Sequence, residues 1–270
     1  MSDVCVITGG GSGMGLACAK YMPKEKIIVI SGRTMAKLAK SANELRELGY
    51  IVYPKTCDTS VRESVAELVK FASELGKIKN VINAAGLSPN MANQEKLIRV
   101  NALGTVYVNQ EFSKVMDEGS VIVDISSNSA YVLPKFLISK KTYGLAETDE
   151  DKFVNKLIGK SNLARTEYEK CGFAYALSKN FVVWYAKKCA AFYGIKGIRV
   201  VSLSPGLIAT DMGKLEEAEG SEMLAYTASK RMGTPAELGY AIATVADERN
   251  GYLAGVDILV DGGATTLRRL

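Results

Sequence analysis

The chain has 270 residues, of which 47% are hydrophobic, so it holds enough apolar surface for a substantial buried core. The net charge is only +5 and the 34 basic residues are spread along the chain, which argues against a nucleic-acid partner. The absence of histidine excludes a histidine-ligated zinc, a Ser-His-Asp triad and a histidine proton shuttle, and leaves acid–base chemistry to Tyr, Lys, Asp, Glu or Cys.

The N-terminal segment and the cysteines indicate where the protein works. A strand-like run begins directly after Asp3, without the basic region and long apolar stretch that direct secretion. No apolar segment approaches the roughly 20 residues that a membrane helix needs. The five cysteines form no C-x-x-C pair, which fits reduced thiols. We therefore expect a cytoplasmic protein with no membrane partner and no metal site.

Seven short β-branched runs alternate with helical patterns along the chain. They read VCVIT from residue 4, IIVIS from 27, YIVYP from 50, NVINA from 80, SVIVDIS from 120, IRVVSLS from 198 and VDILV from 256. Runs that are apolar throughout indicate strands buried on both faces, as in a parallel sheet covered by helices. The sequence therefore predicts an α/β fold, a Rossmann-like doubly wound parallel sheet of about seven strands, in one domain spanning residues 1–270.

A glycine-rich stretch, TGGGSGMG at residues 8–15, follows the first predicted strand and precedes a helical pattern. Such a turn brings backbone N–H groups to a helix start, where they can face a pyrophosphate. The G-x-G-x-x-G spacing fails in every register, and the glycines fit T-G-x-x-x-G-x-G instead. A simple tight connection is the alternative interpretation.

Two later segments have distinct patterns. Residues 134–169 are rich in lysine and acidic residues and lie where a connection usually has only a few residues, so we expect an insertion with one helix near residues 150–158. Thr234, Pro235 and Glu237 fit a capping box with proline at the first helical position, which predicts a helix over residues 235–246.

Four motifs in order resemble the short-chain dehydrogenase/reductase family: TGGGSGMG at 8–15, NAAG at 83–86, YALSK at 175–179 and SPG at 204–206. The resemblance covers almost the whole chain. The short step after NAAG, the insertion before Tyr175 and the DGG at 261–263 are most similar to bacterial 3α-hydroxysteroid dehydrogenase/carbonyl reductases. The resemblance implies a nicotinamide cofactor, and a homodimer or homotetramer whose pairing helices the insertion could obstruct.

The end of the second strand, ISGRT at 30–34, bears on the choice of cofactor. It has no carboxylate for a ribose 2′-hydroxyl, whereas the Arg33 guanidinium suits a 2′-phosphate. We therefore expect NADP(H) in preference to NAD(H). The alternative is that Arg33 is only a solvated loop residue. NADP-preferring relatives often have a second basic residue in the glycine loop, where this chain has Ser12. By resemblance, Asp58 lies at the adenine edge and Asn83 braces the fourth strand. The implied cofactor contacts are Gly9, Ser12, Gly13, Met14, Arg33, Asp58, Asn83, Ala84, Gly86, Tyr175, Lys179, Pro205, Ile208 and Thr210.

The family's Y-x-x-x-K motif occurs three times, beginning at Tyr131, Tyr175 and Tyr226. Pro134 would interrupt a helix through the first match, and the third lies beyond SPG, in the segment that normally covers the substrate. Only the second leads into a long helical pattern, residues 174–193, and then a strand. The resemblance implies that Tyr175 gives or takes the hydroxyl proton and that Lys179, on the same helix face, favours its phenolate and holds the nicotinamide ribose.

The remaining implied roles concern the substrate side. Ser127 matches the serine that donates to the substrate oxygen, with Ser126 as the fallback and a turn serine as the alternative for either. Asn101 matches the asparagine that positions a water next to the lysine, or is an ordinary helical residue. Thr210 matches the contact to the nicotinamide amide. Residues 207–233 would form a lid over the substrate. Four residues of this segment are either its apolar lining or ordinary packing residues: Met212, Met223, Tyr226 and Met232.

Reversible hydride transfer between NADP(H) and an apolar secondary alcohol or ketone is the leading hypothesis, with a hydroxysteroid or bile acid as the preferred substrate. A reductase of β-ketoacyl thioesters or of small polyols and sugars is the rival enzyme. A non-catalytic nucleotide-sensing regulator is the alternative of another class, because a fold alone does not determine function.

Overall fold

A computed structural model of the chain describes residues 2–210, 224–225 and 227–267. Seven parallel strands form one sheet in the order β3-β2-β1-β4-β5-β6-β7. The strands are β1 Asp3–Thr8, β2 Ile27–Gly32, β3 Ile51–Thr56, β4 Lys77–Asn83, β5 Val121–Ile125, β6 Arg199–Pro205 and β7 Asp257–Val260. Each of the seven predicted runs overlaps one of these strands, and the predicted doubly wound parallel sheet is confirmed.

Helices cover both faces of the sheet. They are α1 Gly13–Ala19, α2 Met35–Glu47, α3 Arg62–Leu75, α4 Gln94–Ile98, α5 Gly104–Phe112, α6 Lys140–Gly144, α7 Glu150–Ser161, α8 Glu167–Tyr193, α9 Pro235–Ala246 and α10 Ala264–Leu267. A π-helical turn, Arg99–Leu103, joins α4 to α5. Among these described helices, none is both long and apolar enough to cross a membrane.

Alternate residues of each inner strand enter two separate hydrophobic cores. In β1, Val4 and Val6 pack with the core under α3, α5 and α8, whereas Cys5 and Ile7 pack with the core under α1, α2 and α9. Strand side chains alternate between the faces of a sheet, so a strand covered on both sides must be apolar at every position. This requirement explains why the runs were recognisable in the sequence.

The crevice for a ligand lies where the order of the strands reverses. β1 pairs with β2 on one side and with β4 on the other, so the connections leave in opposite directions at the carboxyl ends of β1 and β4. Such a switch point opens a gap between the two following loops. The glycine-rich segment after β1 and the segment 84–87 after β4 therefore lie side by side.

Helix α9 confirms its predicted bounds and its predicted capping box. The Thr234 side chain accepts from the Glu237 N–H, and the Glu237 carboxylate accepts from the Thr234 N–H. α9 packs closely on α1 at Gly239, where an added Cβ would lie 2.5 Å from the carbonyl carbon of Ala17. The helix after the predicted substrate lid is thereby fixed against the helix that follows the glycine loop.

The predicted insertion contains more structure than one helix. α7 covers the predicted helix and extends it to Ser161, and it is preceded by α6 and two short 3₁₀ turns. The prediction that the helix holding Tyr175 begins near residue 174 was wrong, because α8 begins at Glu167, inside the segment assigned to the insertion. A capping box formed by Thr166 and Glu169 fixes this earlier start.

Candidate active site

A groove of about 280 Å³ lies at the carboxyl ends of β1, β2 and β4. It brings together these residues predicted to bind the cofactor: Gly9, Ser12, Gly13, Met14, Arg33, Asp58, Ala84, Gly86 and Thr210. A second, adjoining cleft shares Met14, Ala84, Gly86 and Thr210 with the groove and is also lined by Ser127, Tyr175, Lys179, Pro205 and Ile208. The two together form one continuous path from Arg33 to Tyr175.

The glycine loop lies close to the backbone that follows β4. Gly9 has a φ of +67°, and an added Cβ would lie 2.8 Å from the carbonyl oxygen of Ala84. Gly13 has a φ of +54° and faces more open space, with Thr210 as the nearest neighbour of an added Cβ at 3.8 Å. Glycine at these two positions therefore permits both the turn and a close approach of a ligand to the backbone.

The far end of the groove carries two cations. Arg33 follows β2, and Lys37 lies in the first turn of α2; both are exposed and line the groove. Asp58 lies on the same wall and accepts from the N–H and hydroxyl of Ser60. Burial opposes its charge, but these hydrogen bonds and the nearby Arg33 cation hold the pKa of the Asp58 carboxyl below its usual range. Lys37 was missed from the sequence.

Tyr175 and Lys179 lie one turn apart on α8 and both line the inner cleft. The Nζ of Lys179 is 5.8 Å from the centre of the Tyr175 ring and donates to the carbonyl oxygen of Ile125 at 3.0 Å. Lys179 is almost completely buried, at 6% exposure. The structure therefore holds an ammonium group beside a phenol, at the end of β5.

The two serines after β5 differ in what they contact. The Ser126 hydroxyl donates to the backbone carbonyl oxygen of Lys179 at 2.8 Å, so this side chain ties the end of β5 to α8. Ser127 caps a short 3₁₀ turn, Asn128–Tyr131, and both serines line the cleft next to Tyr175. The Ser126 hydroxyl donates to the backbone of α8, whereas the Ser127 hydroxyl contacts its neighbour Ser129.

Two predicted site residues lie behind the wall of the groove. The Asn101 side chain is buried in the π-helical turn, where it accepts from the N–H of Leu87 at 2.9 Å and donates to the carbonyl oxygen of Leu87 at 3.0 Å. Asn83 accepts from the Thr8 hydroxyl at 3.0 Å and is 4% exposed. Both side chains hold the segment after β4 in place, and neither lines the groove.

The competing Y-x-x-x-K matches lack the helical arrangement of Tyr175. Tyr131 and Lys135 lie in two separate 3₁₀ turns, and the Tyr131 hydroxyl donates to Asp257 at 2.6 Å. Tyr226 lies outside the described residues, and Lys230 has a φ of +52°, which is incompatible with a regular helix. The argument from Pro134 against the first match is thus confirmed.

The base of the predicted lid is fixed by backbone hydrogen bonds. Ile208 and Gly233 form a parallel bridge, the Ala209 N–H donates to the carbonyl oxygen of Gly233, and the Gly233 N–H donates to that of Leu207. The described ends of segment 207–233 therefore meet beside the cleft. Of the candidate lining residues in the lid, Met212, Met223 and Tyr226 lie outside the described residues, whereas Met232 is described.

Comparison with known proteins identifies relatives over the whole chain. Residues 3–139 match the family model described as short chain dehydrogenase, and residues 155–265 match the model described as Enoyl-(Acyl carrier protein) reductase. A short-chain dehydrogenase/reductase, bsc3, of Alternaria brassicicola is 28% identical over 269 residues, which cover 98% of this chain and 96% of the relative.

Other similar proteins have different named activities. The 3-oxoacyl-[acyl-carrier-protein] reductase FabG of Chlamydia muridarum is 28% identical over 97% of both chains. The 3beta-hydroxysteroid dehydrogenase 2 of Eggerthella lenta is 26% identical over 97% of this chain and 94% of its own. The expected special similarity to hydroxysteroid dehydrogenases therefore has no support in these identities. The crystal structure of gox2181 has the same fold, with a TM-score of 0.77 and 21% identity over 98% of this chain and 96% of that one.

Proposed function

This chain belongs to the short-chain dehydrogenase/reductase family of oxidoreductases, and we propose that it interconverts a secondary alcohol and a ketone with NADP(H). One observation carries the proposal: the Tyr175 phenol, the Lys179 ammonium and the Ser127 hydroxyl meet in the cleft that continues the glycine-lined groove. These are the groups needed to move a hydroxyl proton where histidine is absent.

The side chains divide the chemistry between them. A bound nicotinamide supplies or accepts the hydride at the substrate carbon. Tyr175 donates a proton to the oxygen of a ketone during reduction, and its phenolate removes that proton from an alcohol during oxidation. The positive charge of Lys179 stabilises the phenolate, and the Ser127 hydroxyl donates to the substrate oxygen. Ser126 and Asn101 act through the backbone, by fixing α8 and the segment after β4.

We propose that the groove binds a nicotinamide dinucleotide phosphate. Backbone free of side chains at Gly9 and Gly13 lies between the cations at one end and Tyr175 at the other, so a long anionic ligand can approach the main chain along the groove. Arg33 offers a planar fork and Lys37 a second positive charge for a 2′-phosphate. NADP-preferring relatives often have a basic residue at the position of Ser12. Since this chain has serine there, we propose that Lys37 on α2 supplies the second charge. NAD(H) is the alternative cofactor.

For the substrate we propose an apolar alcohol or ketone, with a hydroxysteroid or bile acid as the first class to test. The cleft beside Tyr175 is lined by apolar groups, including Leu87, Leu207 and Ile208, together with polar groups such as Ser127. A β-ketoacyl thioester is the second candidate, supported by the similarity to a 3-oxoacyl reductase. Small polyols and sugars are the third candidate class.

The proposal is tested by following NADPH absorbance with purified protein and a panel of steroids, bile acids, β-ketoacyl thioesters, simple ketones and polyols. Tyr175→Phe removes the proton donor and is expected to lower kcat roughly 10²–10⁴-fold. Tyr131→Phe is the matched control, because it also removes one phenolic hydroxyl, but one that contacts Asp257 outside the cleft.

The results separate the enzyme from the regulator. Loss of turnover in Tyr175→Phe, with activity retained in Tyr131→Phe, supports catalysis by Tyr175. Cofactor binding without oxidation or reduction of any substrate in the panel would favour a nucleotide-sensing regulator, whose function should survive Tyr175→Phe. Equal losses in both variants would contradict the assigned role of Tyr175.

We further propose a cytoplasmic location and a homodimer or homotetramer. All five cysteines are unpaired, which suits a reducing compartment. The insertion covers one side of α8, where Phe153 packs on Phe181 with ring centres 5.0 Å apart. Assembly through this side would therefore place the insertion in the interface. Sedimentation velocity of the purified protein decides the oligomeric state.

A further inference from the structure

A buried carboxyl group lies directly behind the candidate site. Asp124 is in β5, one residue before Ile125, whose carbonyl oxygen accepts the hydrogen bond of Lys179. The Asp124 side chain has no exposure to solvent. Aspartate is rarely fully buried unless it is paired, and the other inner positions of this strand are apolar. The mechanism proposed above uses no carboxylate, so Asp124 requires its own explanation.

Two amide groups hold the carboxyl group of Asp124. The Asn83 Nδ2 donates to Oδ1 at 2.9 Å, and the Asn109 Nδ2 lies 2.9 Å from each of the two carboxylate oxygens. Asn83 in turn accepts from the Thr8 hydroxyl, which accepts from the Ala85 N–H at 3.0 Å. The carboxyl group is therefore connected to the backbone that lines the cofactor groove.

The charge that acts on Asp124 is that of Lys179. β6 presents the Ser202 hydroxyl opposite Asp124, and this hydroxyl donates to Asp257 of β7. β4 and α5 present only amides and a hydroxyl, from Asn83, Asn109 and Thr105. α8 presents Lys179 and Cys189, and burial raises the pKa of the Cys189 thiol to about 12, so that it stays neutral. Burial also raises the pKa of Asp124 to about 6, against the opposing effects of the two amides and the Lys179 ammonium.

The same network contains an acceptor without a donor. The Oδ1 of Asn109 is buried and accepts no hydrogen bond from any described residue. Buried acceptors are normally satisfied, so one left over indicates that this network can take up another donor proton. The side chain that carries this acceptor contacts both carboxylate oxygens of Asp124 through its Nδ2. If this amide turned over, its Oδ1 would face the carboxyl group and accept a hydrogen bond from a protonated Asp124.

We propose that Asp124 is a positioning residue that binds and releases a proton and, through Lys179, sets the pH range in which Tyr175 exchanges its proton. This inference rests on the proposed function of Tyr175. A charged Asp124 offsets part of the positive charge of Lys179 and makes the Tyr175 phenolate less stable. A protonated Asp124 leaves the Lys179 charge unopposed and makes the phenolate more stable.

The test is the pH profile of alcohol oxidation, which requires the phenolate. Asp124→Asn removes the negative charge, keeps the size of the side chain and is expected to move the rising limb roughly one pH unit toward lower pH. Asp257→Asn is the matched control: Asp257 accepts from the hydroxyls of Tyr131, Ser202 and Ser204, so its loss affects stability but is expected to leave the profile in place. A folded Asp124→Asn protein with an unmoved profile would overturn the proposal.

A second measurement does not depend on turnover. In protein labelled with ¹³C at the aspartate carboxyl carbons, the Asp124 signal is expected to titrate between pH 5 and pH 7, and a signal that stays charged down to pH 4 refutes the proposal. If Asp124→Asn does not fold, Asn109→Ser is used: it removes one amide donor to the carboxylate, favours protonation and is also expected to shift the profile toward lower pH. If no substrate is turned over, the proposed function fails, whereas the carboxyl titration still decides whether Asp124 binds the proton.

Discussion

Replacing Arg33 tests the choice of cofactor most directly. Arg33 is exposed at the mouth of the groove, and we propose that its guanidinium binds the 2′-phosphate of NADP(H). A hydrogen bond to a charged group contributes about 1.5–3 kcal/mol, and the lower end applies to an exposed side chain. A loss of about 1.4 kcal/mol corresponds to a tenfold change in affinity. Arg33→Ala is therefore expected to lower kcat/KM for NADPH roughly tenfold.

The structure also predicts how the neighbouring charges contribute. Lys37 is exposed and acts as a point charge, so Lys37→Ala is expected to lower kcat/KM for NADPH only about two- to threefold. The pKa of Asp58 is held below its usual range, so this carboxylate is charged at pH 7 and partly offsets Arg33. Asp58→Asn is consequently expected to favour NADPH, in the opposite direction to Arg33→Ala.

The assay is initial-rate kinetics with NADPH and NADH, each at two salt concentrations. In Arg33→Ala, kcat/KM for NADH should change less than about twofold, because NADH lacks the 2′-phosphate that Arg33 would bind. Arg33→Lys is the control that keeps the charge and removes the fork. Higher salt should weaken the NADPH preference of the wild type, since exposed charges are screened. An equal loss for both cofactors in Arg33→Ala, or a wild type that prefers NADH, would refute the assignment.

Two further predictions concern stability. In Gly239→Ala the new Cβ would lie 2.5 Å from the backbone of Ala17, so we expect a loss of about 1–3 kcal/mol of unfolding free energy in urea titrations. Gly159→Ala, in open space within α7, should instead be neutral or stabilising, and similar losses in both would contradict the packing argument. Arg231 and the cap of α9 hold the pKa of Glu237 at about 2. Its contribution is therefore complete above the unfolded-state pKa near 4.3 and is lost as pH falls towards 2. Wild-type stability should thus fall more steeply between about pH 4.3 and pH 2 than that of Glu237→Gln, and parallel curves would exclude this role.

The sequence predicted the sheet well because burial on both faces makes most positions of the inner strands apolar, as in β1 and β2. The start of α8 was harder, since residues 167–173, EYEKCGF, mix charged, small and aromatic side chains without a clear helical face. Only the capping box of Thr166 and Glu169 signals the start, and it stands just outside the segment that carries the family motif. A capping box of this kind locates the start of a helix only when the helix that follows it has already been recognised.

Two groups near the site could have been predicted from the local geometry of helix α2 and strand β5. Lys37 lies in the first turn of α2, whose N-cap Thr34 directly follows Arg33, so the start of this helix brings both cations to the groove. Along β5, side chains alternate between the faces, which places Asp124 and Ser126 together on the side of α8. Ser127 follows Ser126 beyond the end of β5 and caps the next 3₁₀ turn, so its side chain belongs to the loop rather than to the strand.

The insertion has a structural effect on the site that its sequence did not reveal. The Tyr143 hydroxyl, in α6, donates to the Oδ1 of Asn180 at 2.8 Å, and the Asn180 Nδ2 donates to the carbonyl oxygen of Ala130 at 2.8 Å. Ala130 belongs to the 3₁₀ turn that Ser127 caps, and Asn180 directly follows Lys179. One side chain thus links the insertion, the turn behind Ser127 and the helix of Tyr175. Because general acid–base catalysis depends on sub-ångström placement of these groups, the hydrogen bonds of Asn180 connect the insertion to the positions of both Ser127 and Tyr175.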